Sequence, residues 1–306
     1  MKNALVTGGA GFIGLNLVKE LNKKGYNILV LLNKNGKNDI SKIKQINSSI
    51  EIIRDVDELI SNAHKYESFD SIFHLASVGV SPDFDDISLI CDTNIKLSCK
   101  LVDFAKLNNS KLLVNFGSCF EYGDHGEVLL SENMPCNPQS LYAISKNSST
   151  KMVAAYSKSK LVNSITVRPF GVFGEGESIN RLAPSIIYNC LNGIEIKTTE
   201  GNQVRDFVNV KDVVKSIICL SESKYEPYGI YNICSNNPVR VKDFIKEIID
   251  VCGFDEKLIK FGAIPYRKNE AMVFAGDNSK LQKVINYNFS DNHKDGIIDI
   301  YNTIRR

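Results

Sequence analysis

The sequence lacks the features that would assign it to several broad classes. Its eight cysteines form no Cys-x-x-Cys pair and have no histidine partners at zinc spacing, so neither a metal framework nor a disulfide framework is expected. They read as reduced thiols of a cytoplasmic protein. No apolar run approaches the roughly 20 residues that span a bilayer, and Met1-Lys2-Asn3 passes straight into an apolar strand without a charged leader and cleavage pattern. No membrane partner is expected. Thirty-seven basic and 35 acidic residues leave a formal net charge of +2, with the lysines scattered among asparagines, so nucleic acid is excluded as a partner. Repeats and low-complexity tracts are absent too. What remains is a chain of 306 residues, 43% hydrophobic, long enough for one enzyme-sized domain or two unequal lobes.

The first half reads as a nucleotide platform. Ala4-Leu5-Val6-Thr7 is a short apolar strand, and Leu15 to Leu21 is apolar at helical spacing. Between them lies Gly8-Gly9-Ala10-Gly11-Phe12-Ile13-Gly14, where glycines 8, 11 and 14 let the backbone turn tightly and approach a pyrophosphate at the helix N-terminus. This turn, with Phe12 and Ile13, is assigned to a dinucleotide. Ile28 to Leu32 is a second strand, whose end should carry an acid for the ribose 2′-hydroxyl of NAD. From Leu21 to Asn38 there is no Asp or Glu, while Asn33, Lys34 and Lys37 offer donors and positive charge suited to a 2′-phosphate. NADP(H) is therefore favoured over NAD(H). A third strand, Ile50 to Ile53, runs through Arg54 into Asp55 and Val56, placed to face the adenine. A fourth, Ser71 to Ser77, carries Leu75 and Ala76 into the cofactor crevice. His74, inside that apolar strand, reads as a hydrogen-bonded core residue rather than an acid or base.

Helix signals fill Asp92 to Leu107, and a fifth strand, Lys111 to Phe116, ends in Gly117-Ser118-Cys119-Phe120-Glu121-Tyr122-Gly123. Ser118 thus sits at a strand's carboxyl end, where open parallel sheets bind ligands. Next comes Tyr142 with Lys146 one helical turn later, a phenol and an ammonium on one helix face. A phenol titrates near 10, at roughly the edge of useful acid-base work, and a nearby cation brings it toward the working range.

Taken together, Thr7 to Gly14, Phe73-His74-Leu75-Ala76, the Ser118 to Gly123 loop, and Tyr142 with Lys146 resemble the extended short-chain dehydrogenase/reductase family, also called the nucleotide-sugar epimerase/dehydratase family. The resemblance covers nearly the whole chain. It implies hydride exchange between a sugar carbon and a nicotinamide, with Tyr142 as proton donor or acceptor. Lys146 would hold the nicotinamide ribose and depress the phenol pKa, and Ser118 would hydrogen-bond the reacting oxygen. Dehydratases of the family carry an Asp-Glu pair directly after the position of Ser118. Here Cys119 and Phe120 stand there, which sets water elimination aside; Glu121 is one place too late and, in an extended segment, would face the other way.

In the second half, Val167-Arg168-Pro169-Phe170 closes a strand and the pattern loosens into shorter elements. Ile179 to Leu191 reads as a helix. Gly171 replaces an asparagine with which many relatives hold the substrate phosphate. Glu200 to Val213 resembles the family's second signature, so Arg205 is expected to pair with the substrate diphosphate, while Asp206 and Asp212 fix loop and helix ends. Lys260 to Met272 is similar to the matching stretch of reductases acting on nucleotide-linked 4-keto-6-deoxyhexoses, such as CDP-abequose and CDP-paratose synthases and dTDP-fucose-forming reductases. Arg267 would be the second diphosphate clamp. The chain should end in a frayed Thr303 to Arg306.

The expectation is an α/β protein. It has a Rossmann-like doubly wound parallel sheet over residues 1–170 and a smaller C-terminal lobe over 171–306, from which some chain returns to the sheet. Its function would be NADPH-dependent reduction of the C4 keto group of a CDP- or dTDP-linked 4-keto-6-deoxyhexose, serving deoxysugar biosynthesis for surface polysaccharide such as lipopolysaccharide O-antigen. Two alternatives stand beside it: a 4-epimerase that keeps its NAD, and a non-catalytic dinucleotide-sensing regulator. Relatives pair through the helix carrying Tyr142, so the resemblance also implies a homodimer.

Overall fold

A computed structural model describes residues 1–34, 40–81, 83–268, 270–290 and 292–305. Lys37, one of the expected donors to a 2′-phosphate, lies outside the described residues. The first half alternates strand and helix: β1 (Asn3–Thr7), α1 (Phe12–Lys23), β2 (Asn27–Leu31), α2 (Ser41–Ile46), β3 (Glu51–Ile53), α3 (Val56–Ser61) and β4 (Ser71–His74). Then come α4 (Ile87–Ile90), a π-helical stretch (Cys91–Lys96), α5 (Leu97–Leu107), β5 (Leu113–Phe116), the short β6 (Leu129–Leu130), α6 (Leu141–Lys160) and β7 (Ser164–Pro169). Further on are β8 (Gly171–Phe173), α7 (Leu182–Leu191), α8 (Val210–Ser221), α9 (Val241–Cys252) and a strand at Ile230–Ile233.

Seven strands form one parallel sheet in the order Ile230–Ile233, β7, β5, β4, β1, β2, β3. The doubly wound sheet of the sequence reading is present, and its last strand comes from beyond residue 171. Alternation along each strand feeds two apolar layers. Val6 and Val30 pack with Leu17, Leu21, Val214 and Ile217 of α1 and α8. Leu5, Leu29 and Leu31 pack with Leu59, Leu101, Phe104 and Val153 on the other face. Strand order reverses between β1 and β4, and a crevice opens there at the carboxyl ends.

Local signals explain the helices that bear on this crevice. Helix α1 starts at Gly11, which supplies no side-chain cap, and ends at Gly25, whose φ of +75° takes the left-handed turn that closes it. Helix α6 starts at Ser140, whose hydroxyl accepts from Ala143 N at 3.2 Å. The helix expected from Asp92 begins a turn earlier, at α4, because Asp86 caps it by accepting from Leu89 N at 2.9 Å. Its π-helical stretch carries Asn94, which is buried and holds both Val78 N and Val78 O at 2.9 Å and donates to Ser145 Oγ of α6. Small residues allow that approach, with Ser98 Oγ and Ser149 Oγ 2.8 Å apart across the two helices.

The second half builds a third core around Phe173, Ile186, Phe244, Ile248, Ile297 and Ile300. Phe207 and Phe244 stack there at 3.9 Å. The helix expected from Ile179 starts three residues later, at Leu182. Where the sequence predicts fraying, Thr303 to Arg305 belong to a helix, Lys294–Arg305, held down by Ile297 and Ile300, and Arg306 lies outside the described residues.

Candidate active site

The carboxyl ends of six sheet strands, β1 to β5 and β7, converge on a cavity of about 1210 Å³. Gly8, Gly11, Phe12, Ile13 and Gly14 line it from β1 and α1, Asn33 and Lys34 follow β2, and Asp55 and Val56 follow β3. Leu75 and Ala76 follow β4, Ser118 follows β5, and Tyr142 and Lys146 enter from α6. Arg267 enters from the C-terminal half. All the expected cofactor and catalytic positions therefore share one cavity wall.

The glycine turn is close-packed. Gly8 has φ +69°, and a Cβ there would stand 2.8 Å from Ala76 N. A Cβ on Gly14 would stand 2.1 Å from Gly8 O. With no side chain capping Gly11, the first amides of α1 stay free to meet an anion, which fits a dinucleotide pyrophosphate. The wall opposite is set by Thr7, whose hydroxyl accepts from Ala76 N at 3.1 Å and meets His74 Nδ1 at 2.8 Å. His74 Nε2 meets Ser98 Oγ at 2.9 Å, and burial with the nearby Lys146 charge lowers its pKa to about 3. It is a neutral core residue, as the sequence reading had it.

Beyond the ends of β2 and β3 the cavity wall holds an ion pair. Lys34 Nζ pairs with Asp55 Oδ2 at 2.8 Å, and Asp55 also caps α3 by accepting from Asp57 N at 2.9 Å. The lysine first and the amides second hold the Asp55 carboxyl below its usual range. Arg54, which the sequence reading passed over, reaches the same wall and donates to Asn33 O at 3.4 Å.

At the other end, Ser118, Tyr142 and Lys146 are gathered. Burial pushes the Tyr142 phenol up to about 12, against the opposing effect of the Ser118 and Ser77 hydroxyls. Loss of water outweighs those hydroxyls. Lys146 is 1% exposed, and burial lowers its ammonium to about 8, partly countered by the Glu121 charge. Cys119 is a buried thiol raised to about 12 by burial, and Phe120 lies against Phe274 at 5.5 Å.

The turn after Ser118 departs from the sequence reading. Cys119–Glu121 is a single 3₁₀ turn, not an extended segment, so strand alternation does not apply to Glu121. Its carboxylate curls back and accepts from Ser118 N at 2.8 Å, below the cavity floor.

Arg205 is not brought to the cavity. Its guanidinium pairs with Glu270 and donates to Val204 O at 2.8 Å, and it is absent from the lining. Asp206 and Asp212 do hold loops, the first accepting from Ser235 N at 2.7 Å and Asn236 N at 3.2 Å, the second from Tyr287 Oη and Ser290 N. Gly171 could not carry an asparagine here unchanged, since a Cβ would stand 2.6 Å from Asp206 O. In place of Arg205, Ser178, Asn180 and Arg181 line the wall just before α7, a group the sequence reading missed. Glu177 stands beside them, its carboxyl raised to about 7 by burial and 3.8 Å from Arg181 Nε. An Arg immediately before a helix start was the available signal.

Residues 4–234 match the model of the NAD dependent epimerase/dehydratase family. The chain belongs to that family. This family member is an enzyme of the nicotinamide-dependent, nucleotide-sugar-modifying kind. It is 27% identical to CDP-abequose synthase of Salmonella typhimurium, over 97% of this chain and 96% of that one. It is 29% identical to GDP-6-deoxy-D-talose 4-dehydrogenase of Aggregatibacter actinomycetemcomitans, over 92% and 90%. Among solved structures it is similar to the UDP-N-acetylglucosamine 4-epimerase of Methanobrevibacter ruminantium in complex with UDP-N-acetylmuramic acid. That likeness has a TM-score of 0.87 at 25% identity, covering 99% and 97% of the two chains.

Proposed function

We propose that this enzyme reduces the C4 keto group of a nucleoside-diphosphate 4-keto-6-deoxyhexose with NADPH, with Ser118, Tyr142 and Lys146 as its catalytic residues. The observation that carries the reading is that Ser118, Tyr142 and Lys146 line the same cavity as the glycine turn, with Cys119 and Phe120 standing where an acid pair would serve water elimination. A buried phenol whose pKa is raised keeps its proton at neutral pH, as a ketone reduction needs. Gly8, Gly11, Phe12, Ile13 and Gly14 would hold the pyrophosphate, Leu75 and Ala76 the middle of the cofactor, Asp55 and Val56 its adenine. Lys146 would hold the nicotinamide ribose. When bound, NADPH supplies the hydride. Ser118 hydrogen-bonds the keto oxygen, Tyr142 gives that oxygen a proton, and a ketone becomes a hydroxyl as the phenol becomes phenolate. The Lys146 ammonium stabilises that phenolate.

NADP over NAD rests on the chain between Leu21 and Asn38, which offers no carboxylate to a 2′-hydroxyl, and on Asn33, Lys34 and Arg54 at the cavity's adenosine end. Arg267 and Arg181 line the wall where a second diphosphate would lie, so they would clamp the sugar nucleotide; Arg205 would join them only on leaving Glu270. Dehydration is disfavoured because Cys119 is a buried neutral thiol and Phe120 has no proton to give. The relative named CDP-abequose synthase fits a CDP-linked substrate, and dTDP is the other base to test.

The likeness to a solved 4-epimerase favours one second reading, a 4-epimerase with retained NAD. NADPH absorbance, with NADH in parallel, is followed on adding enzyme to CDP- and dTDP-linked 4-keto-6-deoxyglucose in separate cuvettes. Stoichiometric NADPH consumption is expected with one of them. No consumption with either cofactor, together with NAD bound to the purified protein, would replace this reading by the epimerase.

A further inference from the structure

Glu121 is 0% exposed and carries more contacts than any family motif quoted above would demand of it. Its Oε1 accepts from Ser118 N at 2.8 Å and from Thr150 Oγ1 at 3.0 Å. Its Oε2 accepts from Arg168 Nε at 3.1 Å and Nη2 at 2.9 Å, a fork closed over one oxygen and buried to 2% on the arginine side. Arg168 in turn lies 4.4 Å over the Tyr122 ring and donates to Cys136 Sγ at 3.1 Å. The chain leaves room for this carboxylate, since a Cβ on Gly117 would stand 2.3 Å from Glu121 Oε1.

The placement of Thr150 gives the cluster its meaning. Tyr142, Lys146 and Thr150 follow one another at four-residue steps on α6 and so form one stripe of that helix. Two hydrogen bonds to a single oxygen therefore join the backbone of Ser118 to the stripe that carries Tyr142 and Lys146. Arg168 anchors the same carboxylate to β7. We propose that Glu121 is a positioning residue for the catalytic group: its carboxylate fixes Ser118 against Tyr142 and Lys146, and supplies the one buried negative charge that both of them feel. This rests on the assignment of Ser118, Tyr142 and Lys146 as catalytic.

The groups facing Glu121 are Arg168 from β7, Tyr142 and Lys146 from α6 and Cys119 on its own turn, while Tyr122 and Cys136 face Arg168 behind it. Its charge raises both Tyr142 and Lys146, so removing it lowers both. Loss of the Lys146 charge, and after it of proton donation by Tyr142, then begins at lower pH. A purely structural carboxylate would not move that limb.

The test uses Glu121→Gln, which keeps the shape, and Thr150→Val, which cuts only the tie to α6. In Glu121→Gln, kcat should fall about 10-fold or more with the substrate KM little changed, since misplacement of reacting groups by an ångström can cost that much, and the alkaline limb of the pH profile should move to lower pH. Thr150→Val should lower kcat without moving the limb, and it decides the matter alone where Glu121→Gln does not fold. An unchanged kcat in Thr150→Val, or an unmoved limb in a folded Glu121→Gln, would overturn the proposal. The Tyr142 phenol is also titrated directly, as the ultraviolet difference between protein with Tyr142 and with Tyr142→Phe, in the native and the Glu121→Gln backgrounds. That titration needs no substrate. If the enzyme turns over neither 4-keto sugar, the function reading fails, while a phenol titrating at lower pH in the Glu121→Gln background still supports the role of Glu121 and an identical titration overturns it.

Discussion

Tyr142 and Lys146 are both buried against their own charged forms, and the consequences differ because the proposed reduction needs a proton from one and a charge on the other. A phenol near 12 holds its proton throughout the physiological range. Replacing Tyr142 by Phe removes only the hydroxyl, so kcat should fall about 10²- to 10⁴-fold while binding of the reduced nicotinamide cofactor, followed by its fluorescence, is retained. Lys146 has the opposite problem. Its folded pKa of about 8 lies below the 10.5 of a free lysine, so at neutral pH the fold carries a buried ammonium that the unfolded chain solvates freely. The unfolded chain binds more protons between those two values, so this penalty is full below about 8 and fades as pH rises toward 10.5. Lys146→Met, similar in length and uncharged, should therefore stabilise the cofactor-free protein at pH 7 by about 1–3 kcal/mol while abolishing turnover. Urea midpoints of the two proteins should converge when measured at high pH. A wider gap at high pH would contradict the sign of that argument.

At the scale of elements, the glycine turn between β1 and α1 is the least forgiving piece. Gly8 and Gly14 are opposite walls of one turn, and a methyl at Gly14 would meet Gly8 O at 2.1 Å, a backbone atom that cannot step aside alone. Gly14→Ala should weaken dinucleotide binding about 100-fold or more, since the misplaced amides are the ones proposed to hold the pyrophosphate. Titration of cofactor fluorescence checks this, with circular dichroism showing whether the sheet persists. Such a turn is legible in the sequence because it is local: strand, glycines and helix lie within Asn3 to Lys23. The same holds for the Tyr142–Lys146 stripe, which helical geometry fixes over one turn. The loop after β5 was less legible. Ser118 was found from its strand end, but Glu121 was placed by strand alternation. The structure makes a 3₁₀ turn there because Ser118 and Glu121 cap it reciprocally, the serine hydroxyl accepting from Phe120 N and the carboxylate from Ser118 N.

For the molecule as a whole, helix α6 presents both of its sides to different tasks. Its stripe of Lys146, Ser149, Thr150 and Val153 is buried, while Leu141, Ile144 and Met152 are exposed at 45%, 48% and 48%. The homodimer expected from the family resemblance would cover these exposed apolar side chains of the helix that carries Tyr142 and Lys146. Sedimentation velocity should show a dimer, and Ile144→Asp with Met152→Asp should yield a monomer that keeps its cofactor affinity. A monomeric native protein would remove that reading.

Sequence by itself determined the parallel sheet, the glycine turn between β1 and α1, the strand end that carries Ser118, the helix face shared by Tyr142 and Lys146 and the buried core place of His74, since each follows from a local pattern or from strand-end placement. Tertiary structure alone decided which charges meet. Glu121 takes Arg168 from 47 residues away, Arg205 takes Glu270 from 65, and Lys34 takes Asp55 from 21. Burial and distance through space set those pairings, and with them the pKa values of the site. Neither is a function of spacing along the chain, because a charge buried in a fold must find its partner wherever the sheet and helices bring one within reach.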